Sequence, residues 1–200
     1  MTIRVDISSC LIHFTKGADF EEAFNNLLSI ISSGVIYGSS NLIKGGDKCV
    51  CFSEVPINII PYGLLNPNYY SKYSPFGIMI QKKWLFKLGG RPVIYQTLDE
   101  YNELPEHYRW RHVTYNPIII PPIDFTWERE WRIKTNELFI TPFENCTIVL
   151  PDSDWANRLI LEHEMEQDLK IQQYKLIFND DIIIDLYREY FPWDIILLKD

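Results

Sequence analysis

Phe125-Thr126-Trp127-Glu128-Arg129-Glu130-Trp131-Arg132-Ile133 alternates charge with aromatic or apolar bulk. Read as an extended strand, it sends successive side chains to opposite sides. Glu128, Glu130 and Arg132 then share one face, and Trp127, Arg129, Trp131 and Ile133 share the other. Two carboxylates and a guanidinium are costly to bury for structure alone. Two readings fit. Either the charged face floors a pocket that the rest of the chain builds, or the segment is an amphipathic edge strand with one solvated face.

Outward from this stretch, short strands and helices come in mixed order. Cys10–Thr15, Cys49–Glu54, Phe76–Ile80, Arg91–Gln96 and Cys146–Leu150 read as strands, with Pro92 marking a strand start or an edge. Asp19–Ser33 is the clearest helix: Asp19 caps it, Glu22 follows three residues on, an apolar stripe runs from Phe20 to Ile31, and Gly34 stops it. Ser39–Lys48 is a polar, glycine-containing loop, and Pro61–Pro75 is a lid or a packed loop. Asp99–Arg111 reads as a polar helix broken by Pro105, and Ser153–Tyr174 as a long helix with an apolar stripe through Met165 and Leu169. Leu176–Phe178 reads as a strand, Ile182–Phe191 as a helix and Trp193–Leu198 as a last apolar segment. Because the elements do not alternate as repeated βαβ units, the expected class is α+β around a mainly antiparallel sheet with flanking helices.

Composition narrows the class further. The 200 residues suit one domain, or one domain with 151–200 as a helical extension. With 46% hydrophobic residues and 14% aromatic ones, the chain has enough apolar bulk for a core and for a pocket that takes flat ligands. A formal charge of −8 argues against general binding to a phosphate backbone, and leaves Tyr108-Arg109-Trp110-Arg111-His112 as the one basic candidate. The four cysteines, Cys10, Cys49, Cys51 and Cys146, lack the spacing of a zinc site and read as small core residues. Met1–Ser9 has no apolar core segment and no run reaches the ~18 apolar residues of a membrane span. The expectation is a cytoplasmic protein with reduced thiols and no membrane partner.

There is no glycine-rich phosphate loop, no serine elbow and no metal-ligand cluster, so no metal is expected. What remains for chemistry is His13 on the first strand, Ser53 at the end of another, and the Glu128/Glu130 pair. Cys10 and His13 fall on opposite strand faces, which argues against a thiol–imidazole nucleophile.

These residues and their order carry a resemblance. His13-Phe14-Thr15 before a helix resembles the opening of DNA-targeting ADP-ribosyltransferase toxins. The strand ending Cys51-Phe52-Ser53-Glu54 is followed by Tyr73-Ser74-Pro75-Phe76-Gly77-Ile78, then Lys83-Trp84, then Arg91-Pro92-Val93-Ile94-Tyr95. This series, with the later Trp127-Glu128-Arg129-Glu130-Trp131-Arg132, is similar to the abortive-infection phage-resistance family of AbiGi type. The resemblance spans about residues 11–150. It implies an ADP-ribosyltransferase-like split sheet and NAD as substrate. Glu130 would be the catalytic glutamate that stabilises the ribosyl cation as nicotinamide leaves, with Glu128 selecting or activating the acceptor. Arg132 would keep the two carboxylates ionised. His13 would hold the adenosine ribose, Thr15 or Ser53 would support the cofactor, Arg91 would bind the diphosphate, and Tyr37, Tyr73 or Tyr95 would stack on nicotinamide. The implied role is a toxin or effector of phage defence that acts on a protein or nucleic-acid acceptor, alongside a cognate toxin or antitoxin partner. The chain departs from the superfamily where a Ser-Thr-Ser or a placed tyrosine is usual and Phe52-Ser53-Glu54 stands instead. Two rivals follow: a non-catalytic antitoxin or sensor that keeps the fold, and a metal-dependent nuclease built on Glu128 and Glu130.

Overall fold

Strand β1, Cys10–Phe14, sets the two faces of the molecule, because Leu11 enters one core while Ile12 and Phe14 enter another. The computed structural model describes residue 4 and residues 6–65, 73–142, 146–178 and 187–199. After β1 come helix α1 (Phe20–Ser33), β2 (Val35–Tyr37), β3 (Cys49–Ser53), β4 (Gly77–Gln81), α2 (Lys82–Lys87), β5 (Arg91–Pro92), β6 (Ile94–Gln96), α3 (Leu98–Glu103), β7 (His112–Thr114), β8 (Glu130–Lys134), β9 (Glu137–Phe139), β10 (Cys146–Leu150), α4 (Ser153–Phe178) and β11 (Asp194–Leu197). Among the described residues seven strands form one sheet in the order β11-β10-β4-β1-β3-β8-β5, and two further strand pairs, β2 with β9 and β6 with β7, flank it. Within the large sheet every pairing is antiparallel except that of β10 with β11. The class is α+β with a mostly antiparallel sheet and flanking helices.

One face of the sheet presents Leu11, Val50, Phe52, Ile78, Trp131 and Ile148 to Phe24 and Leu27 of α1 and to Leu159 of α4. Helix α1 starts and stops where its sequence says. The Glu22 amide donates to the Asp19 carboxylate at 2.9 Å, and Gly34 takes φ 65° while its N–H closes on the Ile30 carbonyl. The Glu22 carboxylate reaches the amide of Ala18, one residue before the expected reciprocal partner. On the other face Ile12, Phe14, Val55, Ile60, Leu64 and Val149 form a second core.

Several elements differ from their sequence reading. Only Glu130–Lys134 of the charged stretch is strand, since Thr126–Glu128 is a 3-10 turn. Arg91–Gln96 divides between β5 and β6, which belong to different sheets. Asp99–Arg111 divides at Pro105 into α3 and a 3-10 segment, Glu106–Arg111. Leu176–Phe178 is the end of α4 rather than a strand, and the helix buries Gln167 and Ile171 while Met165 and Leu169 stay exposed. The helix expected over Ile182–Phe191 and the loop over Pro61–Pro75 fall in large part outside the described residues. Among the described residues no helix is long and apolar enough to cross a membrane.

The β5 edge is protected. Val93 donates to the Glu130 carbonyl on the β8 side, and Pro92 has no N–H to offer. The carbonyls of Gly90 and Pro92 are taken by Arg91 Nη1 at 2.7 Å and Arg111 Nε at 3.0 Å. Proline and charged side chains on an edge discourage pairing with another chain.

Gly77 fixes β4 against β1. A Cβ there would lie 2.4 Å from the His13 carbonyl oxygen, inside backbone that cannot yield. Gly77→Ala is expected to cost about 1–3 kcal/mol, read as a lower thermal unfolding midpoint.

Candidate active site

The turn before β8 is built by one aspartate. Asp124 Oδ1 accepts from the Thr126 amide at 2.8 Å and from its hydroxyl at 2.6 Å, while the Asp124 carbonyl accepts from Trp127 Nε1 at 3.0 Å. The chain then reverses at Arg129, whose φ is 45°, and β8 begins. Glu128 and Glu130 therefore do not share a strand face, as the extended reading required. They reach the same cleft by different routes: Glu128 from the buried side of the turn, Glu130 from the first residue of β8. Trp127 turns the other way, into a separate apolar groove of about 610 Å³ that Val55, Ile59, Leu64 and Phe125 also line.

The cleft, of about 120 Å³, opens where the large sheet parts. β1 and β3 share a single rung, Ile12 opposite Ser53. Beyond it the imidazole of His13 fills the gap, with Nδ1 2.8 Å from the Cys51 carbonyl. A side chain, in place of a strand amide, satisfies that backbone oxygen. A carbonyl only accepts, so Nδ1 carries the hydrogen. Burial lowers the His13 pKa, and although the Cys51 bond opposes this, the charge of Lys16 adds to the lowering. The ring is neutral at neutral pH, and its Nε2 is an acceptor.

Arg132 spends four of its five N–H groups on the protein. Nε and Nη2 donate to the two Glu130 oxygens at 2.9 and 3.1 Å, a bidentate pair, and Nη1 donates to the carbonyls of Trp110 and His112 at 2.8 and 3.1 Å. Burial works against its charge, but the bonds and charge of Glu130 prevail and its pKa is raised. The salt bridge of Arg132 is thus with Glu130, in the cleft that Glu128 also lines. Glu128 is met instead by the Tyr73 hydroxyl, which donates to Oε2 at 2.8 Å. Burial and then the Glu128 charge push the Tyr73 phenol up, which keeps it a donor. Ser53, also buried, donates to the Glu128 carbonyl at 2.7 Å and so clamps the 3-10 turn to the end of β3. Behind β8, the Glu130 amide donates to Tyr95 Oη, which donates to the Phe125 carbonyl, both at 3.2 Å. Burial pushes that phenol up to about 12.

Of the residues singled out by sequence, His13, Ser53, Tyr73, Glu128, Glu130 and Arg132 line one cleft. Four others lie elsewhere, among them Tyr95, bonded to the Glu130 amide. Thr15 is buried and its hydroxyl donates to the Ala23 carbonyl at 2.8 Å, tying β1 to α1. Arg91 stacks on Phe86 at 3.9 Å and caps the β5 edge. Tyr37 is an exposed residue of β2. The sequence reading passed over Lys16, Asn41 and Ile43 and took Cys51 for a core residue, and all four are part of the lining. Burial, and then Glu130, hold the Cys51 thiol well above its usual pKa, so it is neutral there. Only the alternation Cys49-Val50-Cys51-Phe52-Ser53 signalled it, by placing Cys51 on the face of Ser53.

Lys16 and Asn41 apart, the polar groups of the cleft have one sign. The Ser53 hydroxyl, the Tyr73 hydroxyl and four of the five Arg132 N–H groups are spent on the protein. His13 and Glu130 line the cleft, and the imidazole Nε2 and the carboxylate can only accept. Such a floor suits a ligand that donates hydrogen bonds or carries positive charge, such as a sugar with vicinal hydroxyls or a cationic ring. Among the described residues no group of three or more histidine, cysteine or acidic side chains is placed to hold a metal ion.

Compared with family models, with curated proteins and with solved structures, the chain matches none of them.

Proposed function

We infer that the chain is an NAD-dependent ADP-ribosyltransferase acting as an effector of bacterial phage defence, on an ADP-ribosyltransferase-like fold. The observation that carries this reading is the cleft floor: two glutamates and a neutral histidine acceptor meet where the sheet parts, with the nearby donors already spent. NAD presents such a floor with ribose hydroxyls and a ring that is positively charged while its glycosidic bond is intact. In the proposed reaction the bond from the ribose anomeric carbon to the nicotinamide nitrogen breaks, and its electron pair leaves with nicotinamide. Glu130 stabilises the cationic sugar that remains, a contribution of several kcal/mol in a water-poor site. A nucleophile of the acceptor, a protein or a nucleic acid, then bonds to that carbon and loses its proton. His13 accepts from a ribose hydroxyl, and Glu128, fixed by Tyr73 and Ser53, stands beside the reaction path.

One observation favours a second reading. Both Glu130 oxygens are bound by Arg132, which offsets much of the charge that would meet a cation. A binding protein, an antitoxin or sensor that keeps the cleft without the chemistry, would have the same pair. The test is incubation of the purified chain with NAD, alone and with host lysate. Release of nicotinamide above a protein-free control is expected. No release under either condition would leave the binding reading in place.

A further inference from the structure

The cleft has a second chemical zone at its mouth, and Arg91, the residue expected for a diphosphate, is not part of it. The cations that line the cleft are Arg132 and Lys16. Arg132 is committed to Glu130 and to two carbonyls, whereas Lys16 is exposed and has no carboxylate partner among the described residues. Its root is held firmly: Asn26 Nδ2 donates to the Lys16 carbonyl at 2.7 Å. The next residue, Gly17, packs so closely that a Cβ would meet the Ala23 amide nitrogen at 2.4 Å.

The loop that brings Asn41 to the cleft is held as well. The loop between β2 and β3 is closed at its base by the Ser39–Cys49 bridge. Its Asn41 amide donates to Ser39 Oγ at 3.1 Å, and beyond the tip Lys44 Nζ donates to Thr114 Oγ1 at 2.6 Å. Asn41, Leu42 and Ile43 are thereby kept at the cleft, with Leu42 at φ 62° and largely exposed. Lys16, on the segment after β1, and Asn41, on the loop before β3, are exposed and line the same cleft, so that an ammonium and a side-chain amide border a floor that only accepts. On a chain of net charge −8 an anion needs such a local cation to settle.

We propose that Lys16 and Asn41 form a phosphate subsite at the mouth of the cleft, which holds the phosphate of a nucleotide whose cationic ribosyl end lies on the His13–Glu130 floor. The identity of that ribosyl end rests on the reading given under Proposed function, and the subsite itself does not. Affinities of the whole chain for nicotinamide riboside, for its 5′-phosphate and for inorganic pyrophosphate, by titration calorimetry, separate the two. Wild type is expected to bind the 5′-phosphate about tenfold more tightly than the riboside, the worth of one charge-assisted hydrogen bond. Lys16→Gln should abolish that preference and leave riboside affinity unchanged, with Asn41→Ala reducing the preference in part. An undiminished preference in Lys16→Gln overturns the subsite. Pyrophosphate binding that is lost in Lys16→Gln, with no riboside binding, keeps the subsite and removes the ribosyl reading. Binding of none of the three probes removes both.

Discussion

Replacing Glu130 by Gln is expected to lower nicotinamide release by about 10³-fold while the chain still folds, the scale seen when one preorganised electrostatic group is removed. Gln keeps the size of the side chain and one acceptor oxygen, so one bond to Arg132 survives. It loses the negative charge that would oppose a ribosyl cation, and its amide group points hydrogens toward Arg132 Nη2, 3.1 Å from the present oxygen. The expected stability loss is about 1–3 kcal/mol, visible as a lowered unfolding midpoint with an unchanged circular-dichroism spectrum. Release that stays at the wild-type rate would remove Glu130 from the chemistry and favour the binding reading.

The largest stability loss is expected at Arg132. Its side chain is 6% exposed, it neutralises Glu130, and it satisfies the carbonyls of Trp110 and His112. Arg132→Met fills similar space but leaves a carboxylate and two carbonyls without these donors. Breaking a buried ion pair from one side costs about 3–5 kcal/mol, so the variant should unfold at much lower denaturant concentration. The double change Glu130→Gln with Arg132→Met should recover part of this, because no buried charge is then left alone. If Arg132→Met unfolds with the wild-type midpoint, the pair is not a structural element of the sheet.

Why some of this was legible and some was not follows from the range of the interactions. Asp19, Glu22 and Gly34 define α1 within a few residues of one another, and the structure places its ends there. The strands bearing His13, Ser53 and Glu130 were readable from alternation, and so was the mostly antiparallel sheet. The 3-10 turn at Thr126–Glu128 was missed because period-two alternation dominated the reading. Its cause is a short polar side chain, Asp124, two residues ahead of Thr126, which is a signal the sequence does contain. The left-handed Arg129 had no local signal, since arginine has no preference for that region. Arg132 was read as serving both glutamates. Its real partners include carbonyls 20 and 22 residues away, which only the fold brings near. Lys16 and Asn41 were invisible for a related reason: their place at the cleft mouth depends on β1 and the loop after β2 meeting across the sheet.

The single rung between β1 and β3 has a mechanical meaning. It divides the sheet into a block of β11, β10, β4 and β1 and a block of β3, β8 and β5, each internally laddered, joined along a seam. His13 belongs to the first block, while Ser53 and Glu130 belong to the second, to which Ser53 ties Glu128. Beside that rung the bond from His13 Nδ1 to the Cys51 carbonyl also crosses the seam. Any ligand that touches both His13 and Glu130 stitches the blocks together, so occupancy and the stiffness of the whole sheet are coupled.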